Sequence, residues 1–294
     1  MTFQPDHDVV IDASVVRRLL ESQHPALAGD ELTYLDSGWD NSIWRLGEDL
    51  VVRLPRREAA AALILNEQRW LPELSEGLPL EVPTPIAVGT PSGSYPYPWS
   101  VVPWLDGTPA DRAVLSEPAE SAHRFGSFLA ALHRPAPPDA PLNPYRGGPL
   151  EEKTELFVTR ADALSDEVDI DALAAVWTRG LRAPVHDAEP VWLHGDLHPA
   201  NLLISDGLLT GVLDFGDLCQ GDPASDLAGA WLLLPTEHID TVRRVAGAID
   251  DDTWHRAQAW AALFGLMFTA IGMNARPTYE TMGRRAIHSL LAGA

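Results

Sequence analysis

The sequence predicts an α+β chain in two parts: a small antiparallel-sheet portion with one helix, then a larger, mainly helical portion with a few short strands. Three observations carry this reading. Short β-prone runs separated by turn residues fill positions 33–54, the composition switches to Ala and Leu after Pro55, and beyond Gly107 apolar residues recur at helical spacing. The chain has 294 residues, of which 46% are hydrophobic and 21% charged. That is enough apolar material for a sizeable core and excludes global disorder.

In chain order, Asp12 precedes Val15, Val16, Leu19 and Leu20, the pattern of a capped amphipathic helix. Thr33–Asp36, Ser42–Leu46 and Leu50–Leu54 read as a meander, broken at Ser37-Gly38-Trp39-Asp40-Asn41 and Gly47-Glu48-Asp49. Glu58–Leu71 is expected to be helical. Val82–Val88 and Trp99–Leu105 are expected to be strands around the turn Pro91-Ser92-Gly93-Ser94. Ser116 is expected to cap the helix that carries Phe125, Phe128, Leu129 and Leu132, with Pro118 in its first turn. Six prolines from Pro135 to Pro149 predict an irregular loop. Asp171–Arg182 then reads as a helix, Val191–Leu193 as a strand, and Leu202–Ile204 with Leu208–Leu213 as a hairpin around Asp206-Gly207. Everything from Asp222 onward looks helical.

Several function classes drop out on composition. With 42 acidic against 21 basic side chains the net charge is -21, so the chain repels phosphate backbones and no nucleic-acid partner is expected. Cys219 is the only cysteine, which rules out an internal disulfide or a cysteine-rich zinc site and fits a reducing cytoplasm. Met1–Val10 carries Asp6 and Asp8 without a basic start or an apolar run, so no signal peptide is expected. Ala257–Ala275 has no charged residue and approaches the length of a membrane span. Gln258, Thr269, Asn274 and two glycines dilute it, and a helix buried in a large core is the expected reading.

The densest polar cluster is His194-Gly195-Asp196-Leu197-His198-Pro199-Ala200-Asn201, followed after the hairpin by Asp214-Phe215-Gly216. Phosphoryl transfer needs one carboxylate to hold the attacking hydroxyl in line, and an amide oxygen and a second carboxylate to ligate magnesium. Asp196, Asn201 and Asp214 match the order and spacing of that set in protein kinases, with Gly195 where those carry arginine. A kinase also needs a cation on the nucleotide phosphates. The only lysine, Lys153, follows the proline-rich loop, whereas Arg53 in Val51-Val52-Arg53-Leu54 occupies the strand position. A guanidinium bridges two oxygens where ammonium acts as a point charge. Glu67 on the following helix is its natural ion-pair partner, or else part of a solvated helix face. The loop Ser37-Gly38-Trp39-Asp40-Asn41-Ser42 is placed to cover phosphates with backbone N–H groups, and no Walker A motif is present.

These residues resemble the aminoglycoside phosphotransferase family, small-molecule kinases related to protein kinases, over nearly the whole chain. The matching residues are Gly38, Asn41, Arg53, Glu67, His194 to Asn201, Asp214 and Gly216, then Gly221-Asp222-Pro223 and Asp226. The resemblance implies a bilobal protein-kinase-like fold, with a nucleotide-binding lobe over 1–102, a hinge at 103–108 and a helical C-terminal lobe over 109–294. It implies Asp196 as catalytic aspartate, Asn201 and Asp214 as magnesium ligands, and Arg53 with Glu67 on the phosphates of ATP or GTP. Ser37, Gly38 and Asn41 would line the nucleotide. At the hinge the Pro103 carbonyl would accept from the adenine amine and the Leu105 N–H would donate to the ring. Asp226 would tie down the catalytic-loop backbone, or serve as an ordinary helix N-terminal carboxylate.

The expected partner is a small hydroxylated molecule. Val52-Arg53-Leu54-Pro55-Arg56-Arg57 is similar to macrolide kinases, while Asn201, where those enzymes carry histidine, leans toward the aminoglycoside type. Glu151, Glu152, Glu155 and Asp162 are candidates for a wall facing a cationic substrate, or a solvated face. Two rival readings stay open. His194, Asp196 and His198 could be ligands of a metal-dependent hydrolase, and Arg53 in place of lysine could mark a kinase-like binding module without transfer activity.

Overall fold

The computed structural model describes residues 7–274 and 276–292. Residues 1–6, part of the segment expected to lack a leader, and residue 275, at the end of the long apolar stretch, lie outside the described residues. The chain forms two compact units. The first takes the described residues up to Glu76, then Glu81–Asp106 and Asp214–Gly216; the second takes Gly77–Leu80, Gly107–Leu213 and the described residues from Asp217 onward.

In the first unit, α1 (Ala13–Gln23) begins at Asp12, whose side chain accepts from the Val15 N–H as the cap pattern predicts. Strands β1 (Leu32–Ser37), β2 (Asn41–Leu46) and β3 (Leu50–Pro55) form the expected meander. Helix α2 (Glu58–Ser75) runs four residues past its expected end and through Pro72. Proline there forfeits one backbone bond, and the buried Leu71 and Leu74 on either side hold the helix together. Strand β4 is only Ala87–Gly89, because Pro83 and Pro85 have no N–H for a ladder. Strand β5 (Trp99–Pro103) stops two residues early, where the Trp104 N–H turns to the Asp49 carbonyl at 2.7 Å. The sheet order is β1-β2-β3-β5-β4. Its core packs Val15, Val16, Leu19 and Leu20 of α1 against Trp44, Val52, Leu54 and Trp99.

The second unit opens with a two-residue strand β6 (Thr108–Pro109) and α3 (Pro118–Leu132). Pro118 stands in the first turn as expected, but the cap position belongs to Glu117 and not Ser116. The Glu117 N–H is engaged by the Gly207 carbonyl of the distant hairpin turn. The proline-rich segment is irregular, and after it come α4 (Thr154–Ala163) and α5 (Ile170–Arg182). Helix α4 left little trace in the sequence because it buries only Phe157 and Ala161. Strand β7 (Val191–Leu193), the hairpin β8 (Leu202–Ser205) and β9 (Leu208–Val212), and β10 (Cys219–Gly221) form two small sheets, β6-β8-β9 and β10-β7. Asp206 and Gly207 both have positive φ, 51° and 77°, as a type I′ hairpin turn requires.

The remainder is helical: α6 (Ala224–Leu227), α7 (Gly229–Leu233), α8 (Thr236–Val245), α9 (Asp251–Asn274) and α10 (Pro277–Ala292). Helix α9 holds the apolar stretch and is buried around most of its circumference. Among the described residues no helix is long and apolar enough to cross a membrane. Near its start Arg256 makes a bidentate pair with Asp222, Nε to Oδ2 at 2.6 Å and Nη2 to Oδ1 at 3.3 Å, and donates to the Pro184 carbonyl at 2.8 Å. Both side chains are buried.

Removing one member of a buried pair strands the other charge. Arg256→Met should therefore destabilise the protein by about 3–5 kcal/mol in urea unfolding, and adding Asp222→Asn should recover much of the loss. A double variant no more stable than the single one would contradict this account.

Candidate active site

The catalytic-type loop is built by a carboxylate from below. Strand β7 delivers the chain to His194, and Asp226, 1% exposed at the start of α6, accepts from the His194 N–H at 2.7 Å and the Gly195 N–H at 2.9 Å. Both readings of Asp226 are thus met in one residue. Gly195 turns at φ 84°, and a Cβ there would lie 2.5 Å from the Asp217 carbonyl oxygen. Only glycine fits this turn. His194 is wholly buried; its Nδ1 accepts from the Asp196 N–H at 3.1 Å and its Nε2 donates to the Leu213 carbonyl at 2.9 Å. With both ring nitrogens committed to the backbone, His194 is unavailable as a metal ligand. This removes the hydrolase reading, and among the described residues no group of three or more His, Cys, Asp or Glu could hold a metal.

Three side chains converge on Asp196. Arg146 reaches in from the proline-rich loop, donating Nε to the Gly195 carbonyl at 2.7 Å and Nη2 to Asp196 Oδ1 at 3.2 Å. His198 Nε2 lies 3.2 Å from Oδ2. The Asn201 amide donates to the Asp196 carbonyl at 3.0 Å and to Oδ2 at 3.2 Å, leaving its own side-chain oxygen for another partner. Burial alone would raise the carboxyl, but His198, Arg146 and His194 outweigh it and hold Asp196 well below the usual carboxylate range. It therefore stays ionised at any working pH. Such a weak base orients a hydroxyl and accepts its proton only late.

Sequence reasoning missed Arg146. Its one signal was being the only basic residue between Pro135 and Pro149, followed directly by Gly147 and Gly148. Arg146 also lines a cavity of about 500 Å³ whose other walls include Leu142, Leu150, Leu181, Val185 and Glu151. Of the four acidic wall candidates only Glu151 lines it; Glu155 and Asp162 face solvent, and Glu152 is exposed 3.8 Å from Lys153. Cys219 is buried, and burial together with Asp226 and Asp217 pushes its thiol far up, so it is chemically quiet.

The first unit gathers Arg53, Glu67 and Asp214. Arg53 donates Nη1 to Glu67 Oε2 at 2.6 Å and Nη2 to Asp214 Oδ1 at 3.1 Å, using the fork that a lysine lacks. Glu67 is fully buried, not solvated, and its Oε1 has no hydrogen-bond partner. Asp214 sits at φ 59°, a strained backbone that aspartate tolerates better than most residues, with its side chain 54% exposed. In the β1–β2 loop, the Gly38 N–H donates to the Asn41 carbonyl at 2.9 Å, and Arg56 and Arg57 pin the Gly38 carbonyl and Asp40. Ser37 is half-buried at the loop's start, and Asn41 is buried with its side-chain oxygen unpartnered. Pro103 ends β5 in register with Leu50, and Leu105, half-buried, follows it.

Burial pushes Glu67 from 4.5 up to about 7, with Asp214 adding to the rise and Arg53 opposing it. A carboxyl raised by folding binds its proton more tightly in the folded state. Its contribution is present below 4.5 and is withdrawn as pH rises through about 7. Relative to Glu67→Gln, the wild-type protein should lose melting temperature between pH 5 and pH 8. A difference that stays constant across that range would refute the assignment.

Comparison with known proteins identifies the family and the fold. The family model described as the phosphotransferase enzyme family matches residues 31–260. Viomycin phosphotransferase of Streptomyces vinaceus is 29% identical over 237 residues, covering 75% of this chain and 80% of its own. Among solved structures, an aminoglycoside 2″-phosphotransferase in complex with GDP and kanamycin superposes with a TM-score of 0.67 at 21% identity, over 95% of this chain and 98% of its own. A macrolide 2′-phosphotransferase from Brachybacterium faecium gives 0.60 at 22% identity, over 95% and 97%. The fold is thus α+β and kinase-like, and the chain belongs to the phosphotransferase enzyme family, enzymes that phosphorylate hydroxyl groups.

Proposed function

We propose that this enzyme transfers the γ-phosphate of ATP or GTP to a hydroxyl of an antibiotic of aminoglycoside or macrolide type. The observation that carries the reading is Asp196, ionised and held by Arg146, His198 and Asn201 on a loop whose backbone Asp226 fixes. In this role Asp196 receives the acceptor hydroxyl, aligns it with the γ-phosphorus and takes its proton late. Arg53, oriented by Glu67, lies on the nucleotide phosphates, and Ser37, Gly38 and Asn41 cover them. The Pro103 carbonyl and the Leu105 N–H serve the adenine edge. Residues 1–102 make up the nucleotide-binding part, 103–108 the adenine-contacting segment, and 109–294 the acceptor-binding part.

The donor set suits magnesium. Asn201 spends its NH₂ on Asp196 and keeps an amide oxygen, while Asp214 spends one oxygen on Arg53 and keeps the other. Two hard oxygen donors, with waters and phosphates completing the shell, are what this cation takes. When bound, it neutralises charge on the phosphates.

Chemistry near Asp196 bears on the substrate class. The cavity beside Arg146 combines apolar side chains such as Leu142, Leu150, Leu181 and Val185 with charges of both signs, Glu151 and Asp222 against Arg146 and Arg256, which supports an acceptor with an apolar body and polar groups on it. Viomycin belongs on the test panel, given the relative described above. Product mass should reveal one added phosphate on at least one of viomycin, kanamycin or a macrolide, with ATP or GTP. Asp196→Asn should lower that turnover by about 100- to 10,000-fold without weakening nucleotide binding. Nucleotide-dependent melting shifts with no product from any acceptor would instead favour the binding-module reading.

A further inference from the structure

We propose that Arg146 is the positioning residue for Asp196, a loop-borne arginine that fixes the carboxylate's orientation for phosphoryl transfer. The inference rests on the catalytic role of Asp196 given above. Position 195, where the protein-kinase pattern has arginine, carries a glycine required by its backbone. A guanidinium from elsewhere in the chain occupies the space beside it.

Two contacts give Arg146 leverage that one would not. Nε anchors on the Gly195 carbonyl and Nη2 on Asp196 Oδ1, so a single rigid plane spans the peptide preceding Asp196 and the carboxylate itself. The plane is backed by Phe264 of α9, whose ring centre lies 4.8 Å from the guanidinium carbon. Its side chain is only 15% exposed. On the other side, His198 and Asn201 hold Oδ2. With a donor on each oxygen the carboxylate cannot rotate about its Cβ–Cγ bond without breaking a bond. Orientation of this kind is where a small displacement costs most rate. Because Arg146 also lines the cavity, an acceptor seated there meets the residue that sets Asp196 in place.

The test is a double-mutant cycle on the full chain, read two ways. With magnesium and either ATP or GTP, water serves as acceptor, so the basal reaction needs no identified substrate. Arg146→Met should lower basal turnover about 100-fold with the nucleotide Kd unchanged. In an Asp196→Asn background the same change should cost less than about twofold, because the group it positions is gone. Arg146→Lys, which keeps the charge but loses the two-point plane, should fall between. Equal losses in both backgrounds, or wild-type turnover in Arg146→Met, would overturn the proposal. Melting temperatures of the same four proteins provide an arm free of any reaction. The drop caused by Arg146→Met should shrink when Asp196 is asparagine, and strictly additive shifts would show that the two side chains do not act on each other. If Asp196→Asn itself keeps full turnover, the catalytic reading fails and the positioning role falls with it, whereas the melting cycle still reports whether Arg146 holds that carboxylate.

Discussion

The second unit depends on one carboxylate that does no chemistry. Asp226, buried at the start of α6, gives one oxygen to each of two consecutive amides, His194 and Gly195, and also lies 3.3 Å from His133 Nε2. A loop that makes a left-handed turn at Gly195 leaves both strand pairing and helix bonding, so its N–H groups need outside acceptors. Asp226 supplies them at a single point. With those amides fixed, the direction in which Asp196 leaves the chain is set, and Arg146, His198 and Asn201 have a stationary target. A buried charge-assisted bond to backbone N–H is among the stronger interactions available to a protein, and here it is made twice by one side chain.

The first unit solves a different problem, holding a permanent cation in a buried position. A buried guanidinium cannot be neutralised by losing its proton, so it must be compensated by carboxylates. Arg53 has two: Glu67 at 2.6 Å, sealed from solvent, and Asp214 at 3.1 Å, half exposed. The asymmetry matters. Glu67 is structural, while Asp214 keeps a solvent-facing oxygen and is free to take another partner. A lysine would make a point contact; the arginine fork spans both carboxylates in one plane, which gives a physical reason why a chain with a single lysine, placed far along in sequence, loses nothing essential to this arrangement.

Features written in contiguous residues were legible in the sequence. Asp12 as a cap, the β1–β3 meander, the Asp206-Gly207 hairpin and the order Asp196, Asn201, Asp214 each depend on a few neighbouring side chains. What escaped was decided by distant partners. Ser116 lost the cap position because the Gly207 carbonyl engages the next residue, and Val82–Val88 shrank to three residues because two prolines carry no ladder donor. Arg146 escaped most completely. A loop with six prolines has no periodicity to read, and its conformation has meaning only against Gly195, some fifty positions away.

The same distinction applies to the apolar stretch that the sequence alone left close to a membrane span. In α9, Phe264 and Phe268 are four residues apart and therefore share a face. Phe264 lies under the Arg146 guanidinium, and Phe268 packs edge-on against the His198 ring at 5.0 Å, with Tyr279 of α10 completing the cluster at 5.6 Å from that ring. These are the two residues that hold the opposite oxygens of Asp196. A polar side chain at position 264 or 268 would offer its own hydrogen bonds to Arg146 or His198 and draw them off the carboxylate; an aromatic ring supports them by face or edge and competes for none of their donors. The helix is apolar over this stretch because it must pack into a large core and also back the donors to the Asp196 carboxylate, and both demands select the same side chains.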